Sequence, residues 1–128
     1  MGLKYLWDTN AVIYYLRKGF TETGQELMNN IINSNQPAIS CITEIELLCW
    51  KTATENDMAV LNSFISDSII FELEAEIKLK TIEIRKTYDL KLPEAIIAAT
   101  AILTDLTLIS NDRRGFGKIS SLKLLNLN

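Results

Sequence analysis

The sequence predicts an α/β fold, a mainly parallel five-stranded sheet with helices on both faces. Two observations carry that expectation. Short apolar runs of strand length fall at residues 3–7, 38–41, 68–73, 106–110 and 122–127. Longer stretches with helical spacing separate them, and strands that alternate with helices pair in parallel under helices on both sides. Such sheets bind ligands beyond the carboxyl ends of their strands, near the point where strand order reverses.

Taken in order, residues 3–7 are apolar and aromatic, the mark of a buried strand, and end at Asp8. Thr9 and Asn10 offer an N-cap to a helix carrying Ala11, Val12, Ile13 and Leu16. Arg17 and Lys18 fall in its last turn and Gly19 just beyond it, a stop signal. A second helix is expected over residues 23–32, closed by the polar run 33–36 and Pro37. The second strand leads to Thr43 and Glu46, which match capping-box spacing ahead of Leu47, Leu48 and Trp50. Residues 56–65 repeat an amphipathic pattern, so two helices separate strands two and three.

After the third strand a charged helix is expected over residues 74–88, with Ile77, Ile84 and Tyr88 at helical spacing. Pro93 suits the start of the next helix, where its missing N–H sacrifices no hydrogen bond. Ala98, Ala99 and Ala101 let that helix lie close to a neighbouring backbone, and Glu94 sits in its first turn, where the helix dipole favours an acid. The fourth strand ends at Asn111-Asp112, residues 113–117 read as a loop, and a terminal strand follows.

Composition narrows the chemistry. At 128 residues the chain reads as one domain, residues 1–128, with enough length for a proper core. No apolar run has the length of a membrane span, and the first residues do not form a signal peptide, so a cytoplasmic protein is expected. Cys41 and Cys49 read as buried thiols rather than a disulfide. The absence of His excludes His-based zinc sites, Ser-His triads and His general bases. A net charge of −3 argues against a binder of nucleic acid that works by counterion release alone.

Four acids then draw together. Asp8 ends strand one, Glu46 lies just after strand two, Asp112 follows strand four, and Glu94 begins the helix feeding strand four. If strands one, two and four are neighbours, all four reach one edge of the sheet. Each acid also has a local reading: Asp8 and Glu94 as parts of helix starts, Glu46 as half of a capping box, Asp112 as a turn residue. Clustered carboxylates repel, and a protein keeps them together with a compensating cation. An all-oxygen donor set selects a hard metal, Mg²⁺ or Mn²⁺, and metal-assisted phosphodiester hydrolysis is the reaction class that follows.

The chain resembles PIN-domain ribonucleases of the toxin branch, similar to VapC toxins. The segments that carry the resemblance are Asp8-Thr9-Asn10, residues 42–47, residues 92–101 and residues 109–116, in order along nearly the whole chain. It implies a three-layer PIN-like fold, a five-stranded parallel sheet and RNA cleavage with Mg²⁺ or Mn²⁺. It also implies a homodimer and inhibition by a partner antitoxin. Asp8, Glu46 and Asp112 fall on the family's acidic positions, and Ser110 on a hydroxyl position near the metal. Two positions depart from the family pattern: Glu94 stands where Asp is usual, and Gly115 where many relatives carry an acid before Phe116.

For substrate contacts the candidates are Arg113 and Arg114 beside Asp112, with Lys86 and Lys91 near Glu94, placed to hold flanking phosphates. Tyr14, Tyr15 and Trp50 read as core or interface residues. Against the nuclease stands a catalytically weak or inactive PIN-fold module that binds RNA or protein, a reading the two departures motivate. A haloacid-dehalogenase-type phosphatase also begins strand–Asp, but needs a second Asp where Asn10 stands. A phospho-receiver domain needs an acidic pair after strand one, which this chain lacks.

Overall fold

The computed structural model describes residues 2–18 and 21–126. Strands β1 (Tyr5–Trp7), β2 (Ala38–Ser40), β3 (Ile69–Phe71), β4 (Thr107–Ile109) and β5 (Leu124–Leu125) form one parallel sheet in the order β3-β2-β1-β4-β5. β1 is the central strand. Successive positions feed opposite faces, as the period of two in a strand requires. Leu6, Ala38 and Leu108 enter one core, while Trp7, Ile39 and Ile109 enter the other. Two apolar cores on two faces of one sheet make the three-layer α/β architecture expected from the sequence.

The first core is closed by α5 (Ala75–Thr87) and α6 (Leu92–Thr104), and the second by α1 (Thr9–Leu16), α2 (Glu22–Ser34), α3 (Cys41–Leu48) and α4 (Glu55–Asp67). α6 is buried without a break from Ala95 to Ala101. Its alanines let it lie close to its neighbours, and Thr100 satisfies its own hydroxyl on Ile96 O at 2.8 Å. In the second core the Trp7 ring meets Tyr15 and Phe64 edge-on, with centroids 5.4 and 5.2 Å away. Among the described residues no helix is long and apolar enough to cross a membrane.

Local details differ from expectation at the exits of the strands. The N-cap of α1 is Asp8 rather than Thr9 or Asn10: its Oδ1 accepts the Ala11 N–H at 2.7 Å, which puts both following residues inside the helix. The stop expected at Gly19 lies outside the described residues. Thr43 and Glu46 form no capping box, because Ser40 caps α3 at the end of β2 by accepting the Ile42 N–H at 3.1 Å. The helix is already running when Thr43 is reached. A true capping box joins Thr54 and Asp57 at the start of α4.

Residues 113–117, expected as a loop, contain the single helical turn α7 (Arg113–Phe116), capped by Asp112 and pinned by the buried Phe116 ring. β5 covers only the middle of its expected run, and Leu127 lies outside the described residues. Cys41 and Cys49 are free, as expected. Neither is buried, contrary to expectation: Cys41 is half-buried in the first turn of α3, and Cys49 is exposed where it caps the C-terminus of that short helix.

Candidate functional site

Sheet order decides where the acids go. β1 lies between β2 and β4, so strand order reverses beside it and the carboxyl ends of these three strands open onto one cleft. Asp8 leaves β1, α3 leaves β2, and Ser110 and Asp112 follow β4. α6 runs antiparallel to the strands into this layer and presents its N-terminus at the same edge. Asp8, Glu46, Glu94 and Asp112 all line that cleft, with Ile97 and Phe116 as its apolar floor.

Asp8 is the fixed member. It is 5 % exposed, and both carboxylate oxygens are engaged: Oδ1 by the Ala11 N–H and Oδ2 by the Ser110 hydroxyl. Ser110 is fully buried, and its Oγ also accepts the Asp112 N–H at 3.0 Å. Asp112 Oδ1 in turn accepts the Gly115 N–H at 3.1 Å, the cap of α7. One buried hydroxyl therefore ties the exit of β1 to the exit of β4. Across the cleft, the Thr9 hydroxyl donates to Glu46 Oε1 at 2.7 Å and lies 3.2 Å from the buried Thr43 hydroxyl.

The electrostatics follow from this packing. Burial pushes the Asp8 carboxyl up to about 6, against the pull of its Ser110 and Ala11 hydrogen bonds and with the push of the Asp112 and Glu46 charges. Glu94 is also raised, first by burial and then by the Glu46 and Asp112 charges, while the Lys91 ammonium opposes the shift. Two acids on different elements thus feel the same two neighbours. The cleft is an anionic site with too little internal compensation.

Its donors are all oxygens; Glu46 and Asp112 are exposed and Glu94 half-buried, with one oxygen of Glu46 held by Thr9 and one of Asp112 by the Gly115 N–H. That donor set fits a hard divalent cation. Among the described residues, no three of Asp, Glu, Cys or His stand close enough to hold an ion as they are placed here. Closure onto an ion therefore needs rotation at Glu46, Glu94 or Asp112, with Asp8 as the immobile anchor.

Of the basic candidates, Arg113 and Arg114 line an adjoining groove together with Asp112, Asn111 and Asn126. Lys91 precedes α6 and acts on Glu94 through its charge. Lys86 is exposed in the last turn of α5 and does not line the cleft. Tyr15 joins the second core through Trp7, and Trp50 stacks under the Arg17 guanidinium 4.4 Å from its ring centre. Thr9 and Asn10 also line the cleft, a placement that reading them only as cap residues missed. Their signal in the sequence was adjacency to Asp8.

A family model described as PIN domain matches residues 5–122. No curated protein sequence matches significantly. Among solved structures, the chain is similar to VapBC2 from Rickettsia felis bound to a DNA fragment from their promoter, with 25 % identity, a TM-score of 0.80 and complete coverage of both chains. DNA-bound VapBC from Salmonella typhimurium gives 26 % identity and a TM-score of 0.81 over 98 % of this chain and 99 % of that one. A toxin–antitoxin complex from Klebsiella pneumoniae gives 26 % identity and a TM-score of 0.77 over 98 % of each chain.

Proposed function

The chain belongs to the PIN-domain family, and from that premise we propose that it is the toxin of a toxin–antitoxin pair, an endoribonuclease dependent on Mg²⁺ or Mn²⁺. The observation that carries the reading is the convergence of Asp8, Glu46, Glu94 and Asp112 on one cleft at the switch point of the sheet. These four residues would hold the metal. When bound, such a metal neutralises phosphate oxygens and lowers the pKa of a water molecule.

The chain's own residues do the rest. Asp8 anchors the cleft because Ser110 and the Ala11 N–H hold both its oxygens. Arg113 and Arg114, beside Asp112, bind the phosphates that flank the scissile bond, and Lys91 offers a further cation on the Glu94 side. Glu94, half-buried in the first turn of α6, would meet the metal from that helix. Ile97 and Phe116 keep the floor of the cleft apolar, which strengthens each of these charges.

The partners follow from the same reading. An antitoxin lies across the anionic cleft and offers it an Arg or Lys, as suits an uncompensated cluster of acids. A second copy of the chain covers the apolar groove where Ile82 of α5 meets Leu73 and Leu92, with Leu79, 69 % exposed, three residues before Ile82 on the same helix.

The test is cleavage of a defined RNA by the purified protein with Mg²⁺ or Mn²⁺. Cleavage with metal and silence in EDTA support the reading, whereas undiminished cleavage in excess EDTA overturns it. Glu94, where the family pattern has Asp, and Gly115, where many relatives carry an acid, favour a second reading: a PIN-fold module that binds RNA or protein without cutting. RNA binding without cleavage at any metal concentration selects it.

A further inference from the structure

The hydroxyl of Thr9 has no place in the scheme above, yet it makes a short side-chain contact to one of the four acids. Thr9 is the first residue of α1, and its Oγ1 donates to Glu46 Oε1 at 2.7 Å across 37 residues of sequence. Thr43 stands one turn before Glu46 on the same face of α3, is fully buried, and has its hydroxyl 3.2 Å from that of Thr9. Close packing around the fully buried Thr43 leaves its side chain little room to move, so Thr43 is a firm stop. Thr9 is therefore seated against a fixed group on one side and holds a mobile one on the other.

Glu46 needs such a hold. It is exposed, its side chain has three rotatable bonds, and no cation within salt-bridge distance restrains it among the described residues. A carboxylate with one oxygen held cannot spin about its last bond, and its second oxygen is then presented in a constant direction. We propose that Thr9 is a positioning residue for Glu46, and through it sets how tightly the cleft holds a divalent cation. This rests on the metal-binding reading of the cleft. Partners of this kind, which orient a ligand without touching the metal, change affinity or activity by about 10- to 100-fold when removed.

The experiment uses the whole chain and Mn²⁺ alone, with affinity measured calorimetrically and the melting temperature followed in EDTA and in Mn²⁺. Thr9→Val keeps the shape and removes the donor, and it should weaken Mn²⁺ binding about tenfold, while the melting temperature in EDTA falls only by what the lost contact to the Thr43 hydroxyl costs. Thr9→Ala should show the same weakening, and Thr9→Ser, which restores the hydroxyl, should return to within about twofold of wild type. Wild-type Mn²⁺ affinity in Thr9→Val and Thr9→Ala, or a Thr9→Ser as weak as Thr9→Val, overturns the role of Thr9 and leaves the metal reading standing. A wild-type protein that binds no Mn²⁺ overturns the metal reading itself, and this proposal with it.

Discussion

Ser110 donates its hydroxyl to Asp8 Oδ2 and accepts the Asp112 N–H on the same oxygen, so one buried atom fixes two of the four acids. Removing it leaves Asp8 Oδ2 and a backbone donor without their partner. Ser110→Ala should cost about 1–3 kcal/mol of stability, read from urea unfolding. The hydroxyl also lowers the Asp8 pKa, so its loss should raise that pKa further and move the acid limb of the cleavage profile to higher pH. An unmoved acid limb would show that Asp8 ionisation does not govern activity.

Asp8 itself separates structural from chemical roles. Its folded pKa of about 6 lies above its ordinary 3.8, so the folded state binds the extra proton between those values. Stability from this group is present below pH 3.8 and is lost as pH rises through 6, by at most about 3 kcal/mol. Asn in place of Asp can still accept the Ala11 N–H on Oδ1, its Nδ2 donates to Ser110 Oγ where Oδ2 had accepted, and it has no charge to bury. Asp8→Asn should therefore abolish cleavage, leave the protein in EDTA at neutral pH as stable as wild type or more so, and erase that pH dependence. Added Mg²⁺ should raise the wild-type melting temperature clearly and the variant's much less. A variant strongly destabilised in EDTA that gains as much from Mg²⁺ as wild type would reduce Asp8 to a helix cap.

Glu94 carries one methylene more than the family's usual Asp at the N-terminus of α6. Because it is only half-buried, Glu94→Asp should leave the melting temperature within the range of a neutral surface change, about 0.5 kcal/mol. It should raise metal affinity or cleavage if the longer arm displaces the ion. A collapse in activity would show instead that the cleft has adapted to Glu.

Gly115 marks the other departure, and the space around it explains why a larger residue is absent here. A Cβ at this position would lie 2.9 Å from Leu90 Cδ2 and 3.0 Å from Asp112 Oδ2. Gly115→Asp adds that crowding and a like charge beside Asp112. It should destabilise by roughly 1–3 kcal/mol, with Gly115→Ala milder because both obstructing atoms end flexible side chains. Denaturant midpoints of the two variants, compared in EDTA, check the ranking.

Much of this was legible in the sequence. The alternation of apolar strands with helices sufficed for the three layers, and acids at strand exits sufficed for the cleft once β1 proved to lie between β2 and β4. What could not be read locally was which partner each side chain would take. The spacing of Thr43 and Glu46 is that of a capping box, yet Ser40 starts the helix earlier and Glu46 is met by Thr9 from another helix. Residues 113–117 have no helical periodicity to read, since their single turn is held by Asp112 below and by burial of Phe116 above. The closeness of the acids is the other thing spacing does not encode. They share a cleft, but their mutual distances depend on rotamers that only a cation would settle.

The central place of β1 also has a consequence for biosynthesis. The strand made first has neighbours made second and fourth, so Asp8 waits for Ser110, which is translated 102 residues later. Long-range parallel pairing is slow, because the intervening chain must be ordered before it is rewarded. Until β4 and the residues after it have emerged, the growing polypeptide lacks both the hydroxyl that seats Asp8 and the acid that faces it. On the reading proposed above, the nascent chain is inert toward the RNA of the ribosome that is making it.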